Sequence, residues 1–210
     1  MDKEQGLPSL PDKCVDLCLT DPPFNINYKA KFTELNYKDN KNDYKEWCEI
    51  WFNELKRICN GIILYVGQTE FIWDSIELPN DRVYLFKPNS QSGRKKAYLR
   101  RVYPIYIYGK CNKLKEDYFN YWARNGFLRE GYLHPCPLIE DFWEDLITQL
   151  KPISVIDPFL GSGTTAEVCT KLGIKWLGYE INEVYSQDIN KRLLNCKKEP
   201  QQIALERYIK

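Results

Sequence analysis

The sequence predicts an α/β fold, a Rossmann-like, doubly wound, mostly parallel sheet with flanking helices. In the C-terminal third, short apolar runs alternate with amphipathic stretches, as strands and helices do in such folds. The run IILYV (62–66) has no polar alternation, which indicates a strand covered on both faces. A glycine-rich segment follows the apolar run at 153–156, at the position where open α/β sheets bind ligands.

The elements of the N-terminal half are placed by apolar spacing. Val15–Thr20 is a short apolar run typical of a buried strand. From Asp43, a candidate N-cap, apolar side chains recur at helical spacing, and Asn60-Gly61 predicts the end of that helix. Pro104 lies in a further predicted strand and favours an edge position or a bulge there. Strands are predicted at 62–66, 82–87 and 102–108, with a short helix at 71–78.

The C-terminal half shows a regular alternation. The predicted order is helix 138–150, strand 153–156, helix 163–172, strand 175–179 and helix 183–194. Residues 25–43, rich in Asn, Lys and Tyr, are interpreted as a surface loop, and 110–133 receives no assignment.

Length and composition indicate one domain, residues 1–210, in the cytoplasm. The 210 residues suffice for a sizeable core, and no apolar stretch approaches the roughly 18–20 residues of a membrane span. The N-terminal MDKEQGLPSLPDK is charged and lacks the apolar segment of a signal peptide. The eight cysteines are scattered without a CxxC pair, which favours buried free thiols over a zinc site, and no metal is expected.

The net charge of +1 does not indicate a nucleic-acid partner, but one segment is strongly basic. Residues 93–101, GRKKAYLRR, carry five basic side chains and no acidic one. The segment could contact nucleic-acid phosphates or could be a solvated loop. The candidate phosphate ligands are Arg94, Lys95, Lys96, Arg100 and Arg101.

The segment DPFLGSGTT (157–165) has the features of a ligand-binding turn between a strand and a helix. Gly161 and Gly163 permit a tight turn and let a ligand approach the backbone. The segment is neither a P-loop nor a GxGxxG motif. The next strand ends near Glu180, whose carboxylate is placed to bind ribose hydroxyls. These features predict a nucleoside ligand without a pyrophosphate, and the alternative is a tight turn beside a surface acid.

The segment TDPPF (20–24) is stiff and carries two hydrogen-bond acceptors. Pro22 and Pro23 fix their own φ angles and bias the preceding residues toward extended backbone. The Asp21 carboxylate and the Pro22 carbonyl can then accept both hydrogens of one amino group, with the Phe24 ring beside it. On a nucleobase this favours a pyramidal nitrogen whose lone pair can attack a methyl group. The base would have to leave the helix to reach it, and taken alone the segment is also consistent with a rigid turn.

At these positions the chain resembles the S-adenosylmethionine-dependent amino-methyltransferases of DNA, in their permuted β group. TDPPF matches the catalytic motif of that family and DPFLGSGTT its cofactor motif, and the catalytic motif comes first. Further agreement lies in LPDKCVDL (10–17), HPCPLIEDFW (134–143) and LGYEINEVYSQDINKRL (177–193), and more loosely in FKPN (86–89) and YIYGK (106–110).

The resemblance implies a circularly permuted class I methyltransferase fold with S-adenosylmethionine as cofactor. It implies that the target base is held by Asp21, Pro22, Pro23 and Phe24. It implies a cofactor pocket formed by His134, Pro135, Asp157, Phe159, Gly161, Ser162, Gly163, Thr164, Thr165, Glu180 and Asn182. The implied partner is double-stranded DNA with a flipped base. Residues 88–133 are the candidate target-recognition segment, a short insertion, and a homodimer or an additional specificity subunit could share recognition.

Three features depart from the family pattern. Few residues precede the LPD segment, where family members often carry an aspartate-bearing strand. The adenine pocket is therefore expected to be completed differently, for example by QQIALERYI (201–209), or to bind the cofactor more weakly. The family's HPxxKP is HPCP here, without the lysine. Residues 88–133 are few for base-specific readout, which predicts a short recognition sequence or help from a second subunit or protein.

Adenine N6 is the favoured target, because family members with aspartate before the two prolines mostly act there, in the setting of restriction and modification. Cytosine N4, RNA and a protein amide are the alternative substrates. A catalytically silent nucleic-acid-binding subunit would usually have lost a motif residue, and Asp21 to Phe24 are all present. A different nucleotide-binding enzyme would need a phosphate-binding loop or a hydride-transfer signature, and neither is visible.

Overall fold

A seven-stranded sheet forms the centre of the computed structural model, which describes residues 6–25, 42–65, 76–90, 100–122, 132–134 and 138–196. The strands are β1 (Val15–Thr20), β2 (Cys59–Tyr65), β3 (Asp81–Phe86), β4 (Val102–Gly109), β5 (Tyr118–Asn120), β6 (Ser154–Asp157) and β7 (Lys175–Gly178). Their order across the sheet is β5-β3-β4-β2-β1-β6-β7. The helices are α1 (Tyr44–Ile58), α2 (Glu140–Leu150), α3 (Thr164–Leu172) and α4 (Ser186–Leu194).

The sheet is mostly parallel, as predicted. The pairs β1–β2, β1–β6, β6–β7 and β3–β5 are parallel, and β4 is antiparallel to both of its neighbours. Six of the seven described strands, all except β4, therefore point the same way. Their carboxyl ends meet at one edge, where ligands bind in open α/β sheets.

Two apolar layers cover the sheet, because neighbouring residues of a strand point to opposite faces. In β2, Ile63 packs in the layer that contains α2 and α3, whereas Ile62 and Leu64 pack in the layer that contains α1. This alternation confirms that the run of apolar residues in β2 is covered on both sides. The predicted helices and strands of the C-terminal half are all present.

The end of α1 differs from the prediction. The helix ends at Ile58 and β2 begins at Cys59, so Asn60-Gly61 lies inside a strand. A Cβ atom on Gly61 would lie 2.6 Å from the carbonyl oxygen of Lys110. The glycine is therefore needed for close backbone approach and does not stop the helix.

The position of β4 also differs from the prediction, since this strand lies inside the sheet and has no bulge at Pro104. Pro104 pairs with Tyr84 in an unbroken register with β3. The described pairing of β4 with β2 begins one residue later, at Ile105. A residue without a backbone N–H is tolerated there because it lies beyond that ladder.

Some of the remaining predictions concern residues that the structure describes, and others concern residues that it does not describe. The unassigned stretch 110–133 contributes β5, and β4 also lies within 88–133, so much of the described part of the candidate recognition segment belongs to the sheet. Residues 26–41 and 71–75, with most of the predicted loop and short helix, lie outside the described residues. The seven described cysteines are free thiols. No helix in the described ranges is long and apolar enough to cross a membrane.

Candidate active site

The edge formed by the carboxyl ends of the strands brings the two predicted motifs together. β1 and β6 are neighbours, with Cys18 paired to Ile156. At their ends the Thr20 hydroxyl donates a 2.5 Å hydrogen bond to Asp157 Oδ1, although the two residues are 137 positions apart in the chain. The TDPPF and DPFLGSGTT segments therefore begin at two residues that are hydrogen-bonded to each other.

Asp157 anchors the glycine-rich loop from within the protein. Its Oδ1 also accepts from the Phe159 backbone N–H at 3.1 Å, and its Oδ2 accepts from the Thr165 hydroxyl at 2.6 Å. Trp143 Nε1 of α2 in turn donates to Thr165 at 2.8 Å. Burial raises the pKa of Asp157 to about 6, although the hydrogen bonds from Thr165, Thr20 and Phe159 lower it. The carboxylate fixes the loop, and a direct role in binding the cofactor stays a prediction.

The loop itself requires glycine at two positions. Gly161 has a φ angle of +54° and Gly163 one of +84°, both in the left-handed region. A Cβ atom on Gly161 would lie 3.0 Å from His134 Nε2, and one on Gly163 would lie 3.1 Å from Ile189 Cγ1. Ser162 and Thr164 are buried beside them. The two glycines therefore let His134 and Ile189 pack directly against the loop at the start of α3, and the approach of a ligand to the loop backbone stays a prediction.

Glu180 closes the other side of the loop. Its Oε2 accepts from the Gly161 N–H and its Oε1 from the Asn182 N–H, both at 2.8 Å. Burial raises the pKa of Glu180 to about 7, against the lowering effect of these hydrogen bonds. The Asn182 side chain accepts from the Val184 N–H at 3.2 Å and caps the 3₁₀ turn Glu183–Tyr185, so its described contact is structural.

His134 lies over the glycine-rich loop. Its ring makes an edge contact with Tyr185, with centroids 4.7 Å apart, and burial lowers its pKa to about 4, with a smaller effect from Arg192. The imidazole is therefore neutral at physiological pH. Asp188 of α4 holds the segment, accepting from the backbone N–H groups of Leu133 and His134 at 2.7–2.9 Å. Pro135 lies outside the described residues.

The TDPPF segment combines a firm anchor with an unsatisfied acceptor. Tyr44 of α1 donates its hydroxyl to the Pro23 carbonyl at 2.7 Å, and Phe24 is half-buried against the core. Asp21 Oδ1 is buried and has no hydrogen-bond partner among the described residues. Burial raises the pKa of Asp21 well above its usual value, Lys87 lowers it and Asp157 raises it further. An acceptor is thus held in place with no internal donor among the residues that the structure describes.

Several residues of the site were not found by sequence reasoning. Trp47 and Trp51 flank the Phe159 ring at centroid distances of 5.6 and 5.4 Å, and in the sequence they were only two of the apolar positions at helical spacing after Asp43. Tyr44 was likewise counted as an apolar helix position. Lys87 and Asp188 lie in segments that agree with the family, FKPN (86–89) and LGYEINEVYSQDINKRL (177–193), but the sequence assigned a role to neither, because only the fold brings them to this edge.

The basic run is only partly described. Arg100 and Arg101 directly precede β4, and the Arg101 carbonyl accepts from the Lys87 N–H at 2.8 Å at the end of β3. Both arginines therefore lie at the same edge as the two motifs. Arg94, Lys95 and Lys96 lie outside the described residues. In the part of the chain that is described, no three His, Cys, Asp or Glu side chains are grouped to hold a metal.

Comparison with known proteins places the geometry in context. The DNA methylase family matches residues 71–191, more than half of the chain. Type II methyltransferase M.HinfI of Haemophilus influenzae is 25% identical over 96% of this chain and 69% of its own length. M.HpaI of Haemophilus parainfluenzae is 25% identical over 90% and 71%.

Solved structures share the fold. The PvuII DNA methyltransferase, described as cytosine-N4-specific, superposes with a TM-score of 0.68 at 16% identity, covering 95% of this chain and 86% of that one. A DNA modification methylase of Thermus thermophilus, in complex with S-adenosyl-L-methionine, gives 0.62 at 15% identity, covering 96% and 95%. At these identities the likeness concerns the fold alone.

Proposed function

Because the chain belongs to the DNA methylase family and is an S-adenosylmethionine-dependent DNA amino-methyltransferase, we propose that it methylates adenine N6 in preference to cytosine N4, on a base flipped out of double-stranded DNA. The observation that carries the proposal is the buried, unpartnered Oδ1 of Asp21, seen among the described residues beside the loop that follows β6. The preference for adenine rests on the aspartate that precedes the two prolines.

The residues at this edge fit the cofactor. Gly161 and Gly163 leave the loop without side chains at the start of α3, where His134 and Ile189 pack against it, and the Glu180 carboxylate beside it is only partly buried. We assign Glu180 to the ribose hydroxyls and Gly161, Gly163 and Phe159 to the methionine part, with His134 closing the pocket. When bound, S-adenosylmethionine supplies an electrophilic methyl group.

The chain's own residues then prepare the amine. Asp21 Oδ1 and the Pro22 carbonyl each accept one hydrogen of the exocyclic amino group, which localises the lone pair of the nitrogen. Phe24 stacks on the base, and the hydrogen bond from Tyr44 to the Pro23 carbonyl keeps the segment from moving. Held in this way, the nitrogen would be placed to attack the methyl group that the bound cofactor would supply, and the methylated amine would release one proton to water.

The direct test is methyl transfer from labelled S-adenosylmethionine to unmethylated DNA, followed by digestion and separation of the nucleosides. We expect label in N6-methyladenine, and Asp21→Ala should abolish transfer while leaving cofactor affinity nearly unchanged. Asp81→Ala, an exposed aspartate at the opposite edge of the sheet, is the matched control.

Each outcome of this assay is informative. Label in N4-methylcytosine would overturn the preference for adenine. Full activity in Asp21→Ala would overturn the role of the carboxylate. Cofactor binding without transfer to any DNA would favour a catalytically silent subunit.

A further inference from the structure

A lysine held by two aromatic rings lies at the end of β3. The Lys87 ammonium donates a 2.6 Å hydrogen bond to the Tyr65 hydroxyl. It lies 4.8 Å from the centroid of the Tyr65 ring and 4.5 Å from that of Tyr103. The two rings are stacked with centroids 6.0 Å apart. Aromatic faces attract a cation and fix its position while it keeps its positive charge.

The sheet register directs this cluster toward the catalytic segment. Leu64 of β2 pairs with Thr20 of β1, so Tyr65, the last residue of β2, lies beside Asp21, the first residue after β1. Lys87 follows β3 at the same edge. Two charged groups act on the Asp21 carboxylate, the Lys87 ammonium at the end of β3 favourably and the Asp157 carboxylate at the end of the adjacent β6 unfavourably. β4 and β2 lie between β3 and β1, and the Lys87 side chain spans part of that distance to reach the Tyr65 hydroxyl of β2.

The Asp21 carboxylate needs a nearby positive charge to stay ionised. Its buried Oδ1 has no donor among the described residues, and Asp157 adds repulsion, so both effects favour a protonated, neutral carboxyl. A protonated carboxyl is a weaker acceptor for the hydrogens of an amine than a carboxylate. An opposing positive charge counteracts both effects.

We propose that Lys87 is a positioning residue for methyl transfer, whose ammonium, held by Tyr65 and Tyr103, keeps the Asp21 carboxylate ionised and ready to accept a hydrogen of the target amine. The inference rests on the proposed function of Asp21. It goes beyond that function by assigning a role to the FKPN segment at 86–89.

The test compares Lys87→Met, which removes the charge but keeps the length, with Lys87→Arg, which keeps the charge. Lys110→Met, an exposed lysine after β4 at the opposite edge, is the control. In kcat against pH, we expect the acid limb of Lys87→Met to move to higher pH by about one unit or more, because a nearby opposite charge lowers a carboxyl pKa by that amount. Lys87→Arg and Lys110→Met should retain the wild-type limb, and cofactor affinity should not change in any variant.

A second measurement does not depend on turnover. Titration of the Asp21 side-chain carboxyl by carbon NMR should show a higher pKa in Lys87→Met than in the wild type. If Lys87→Met does not fold, Tyr65→Phe, which removes only the hydroxyl acceptor, should shift the carboxyl titration in the same direction by less.

The outcomes separate the two proposals. An unchanged acid limb and an unchanged carboxyl titration in Lys87→Met, with an active wild type, would overturn the role of Lys87 alone. Equal shifts of the acid limb in Lys87→Arg and Lys87→Met would show that the cluster acts through packing and not through its charge. A wild type that methylates no DNA would instead overturn the proposed function, and the carboxyl titration would still test the electrostatic link.

Discussion

The Asp21 carboxylate occupies a position that opposes folding, because its Oδ1 is buried without a hydrogen bond from any described residue. A buried carboxylate oxygen without a hydrogen bond is retained where a bound ligand supplies the missing hydrogen-bond donor. The atom that we propose accepts the target amine should therefore lower the stability of the free protein.

We expect Asp21→Ala to raise the free energy of unfolding at neutral pH by about 1 kcal/mol, the lower end of the penalty for an unsatisfied buried polar group. The folded pKa of Asp21 is raised, so the folded wild type binds a proton more tightly than the unfolded chain. Its stability therefore falls as the pH rises from about 4 through that raised value. The advantage of Asp21→Ala should be larger at pH 8 than at pH 5.5 in urea unfolding, and a less stable variant would contradict this account.

Glu180 should make cofactor binding depend on pH. Its pKa is about 7 in the folded protein, and hydroxyl donors favour the ionised carboxylate, so binding should release a proton. Affinity for S-adenosylmethionine is expected to rise with pH up to about 7 and then level off. Glu180→Gln should weaken binding by about tenfold to a hundredfold, the value of a hydrogen bond to a charged group, and should remove the pH dependence. Calorimetry in two buffers of different ionisation enthalpy measures the released proton, and an uptake of protons would contradict the assignment.

Residues that belong to a chemical motif could be located from the sequence, whereas the residues that hold those motifs in place could not. Asp21 and Glu180 follow strand ends in recognisable segments, so local pattern was enough to place them at this edge of the sheet, while their roles stay predictions. Tyr44 and Asp188 act on backbone groups that only the fold brings near, and each looks like an ordinary helix residue in sequence.

At the scale of elements, the start of α3 combines a positive φ angle with close packing. The energetic costs of these two features can be measured separately. Gly173, at the other end of α3, also has a positive φ angle, but a Cβ atom there would have no described heavy atom within 4 Å. Gly173→Ala should lower the free energy of unfolding by about 1–2 kcal/mol from backbone strain alone. Gly163→Ala should lower it by about 1–3 kcal/mol more, because its Cβ atom would press on Ile189. Equal losses in thermal unfolding would show that packing against α4 does not matter.

Elements whose spacing was regular were predicted well, and those determined by distant backbone were not. The alternation of α2, β6, α3, β7 and α4 follows from apolar periodicity. Gly61 was misinterpreted because its close neighbour, Lys110, is remote in sequence. Pro104 was misinterpreted because the extent of the β2–β4 ladder depends on pairing rather than on local propensity.

At the scale of the whole molecule, a net charge of +1 conceals a local concentration of positive charge in residues 93–101, of which Arg100 and Arg101 are described at the edge that carries the motifs. Arg100 and Arg101 lie where β4 starts, and we propose that they contact DNA phosphates. Replacing both with alanine should weaken DNA binding about equally for all sequences. The slope of log K against log salt should become shallower by about two, one for each lost phosphate contact. Fluorescence anisotropy at several salt concentrations measures the slope, with Lys151→Ala and Lys175→Ala, exposed at the opposite edge, as controls. An unchanged slope would make the pair a solvated part of the surface.

The adjacency of β1 and β6 also determines when the enzyme can become active during synthesis. Thr20 leaves the ribosome early, but its partner Asp157 is made 137 residues later. Closing so long a loop is entropically unfavourable until β6 and its helices are available to compensate. An interrupted translation product that stops before β6 would therefore carry the whole TDPPF segment and yet be inert toward DNA. For the same reason, two separately expressed fragments divided between residues 122 and 132 would each lack half of the site, and methylation would report their reassembly.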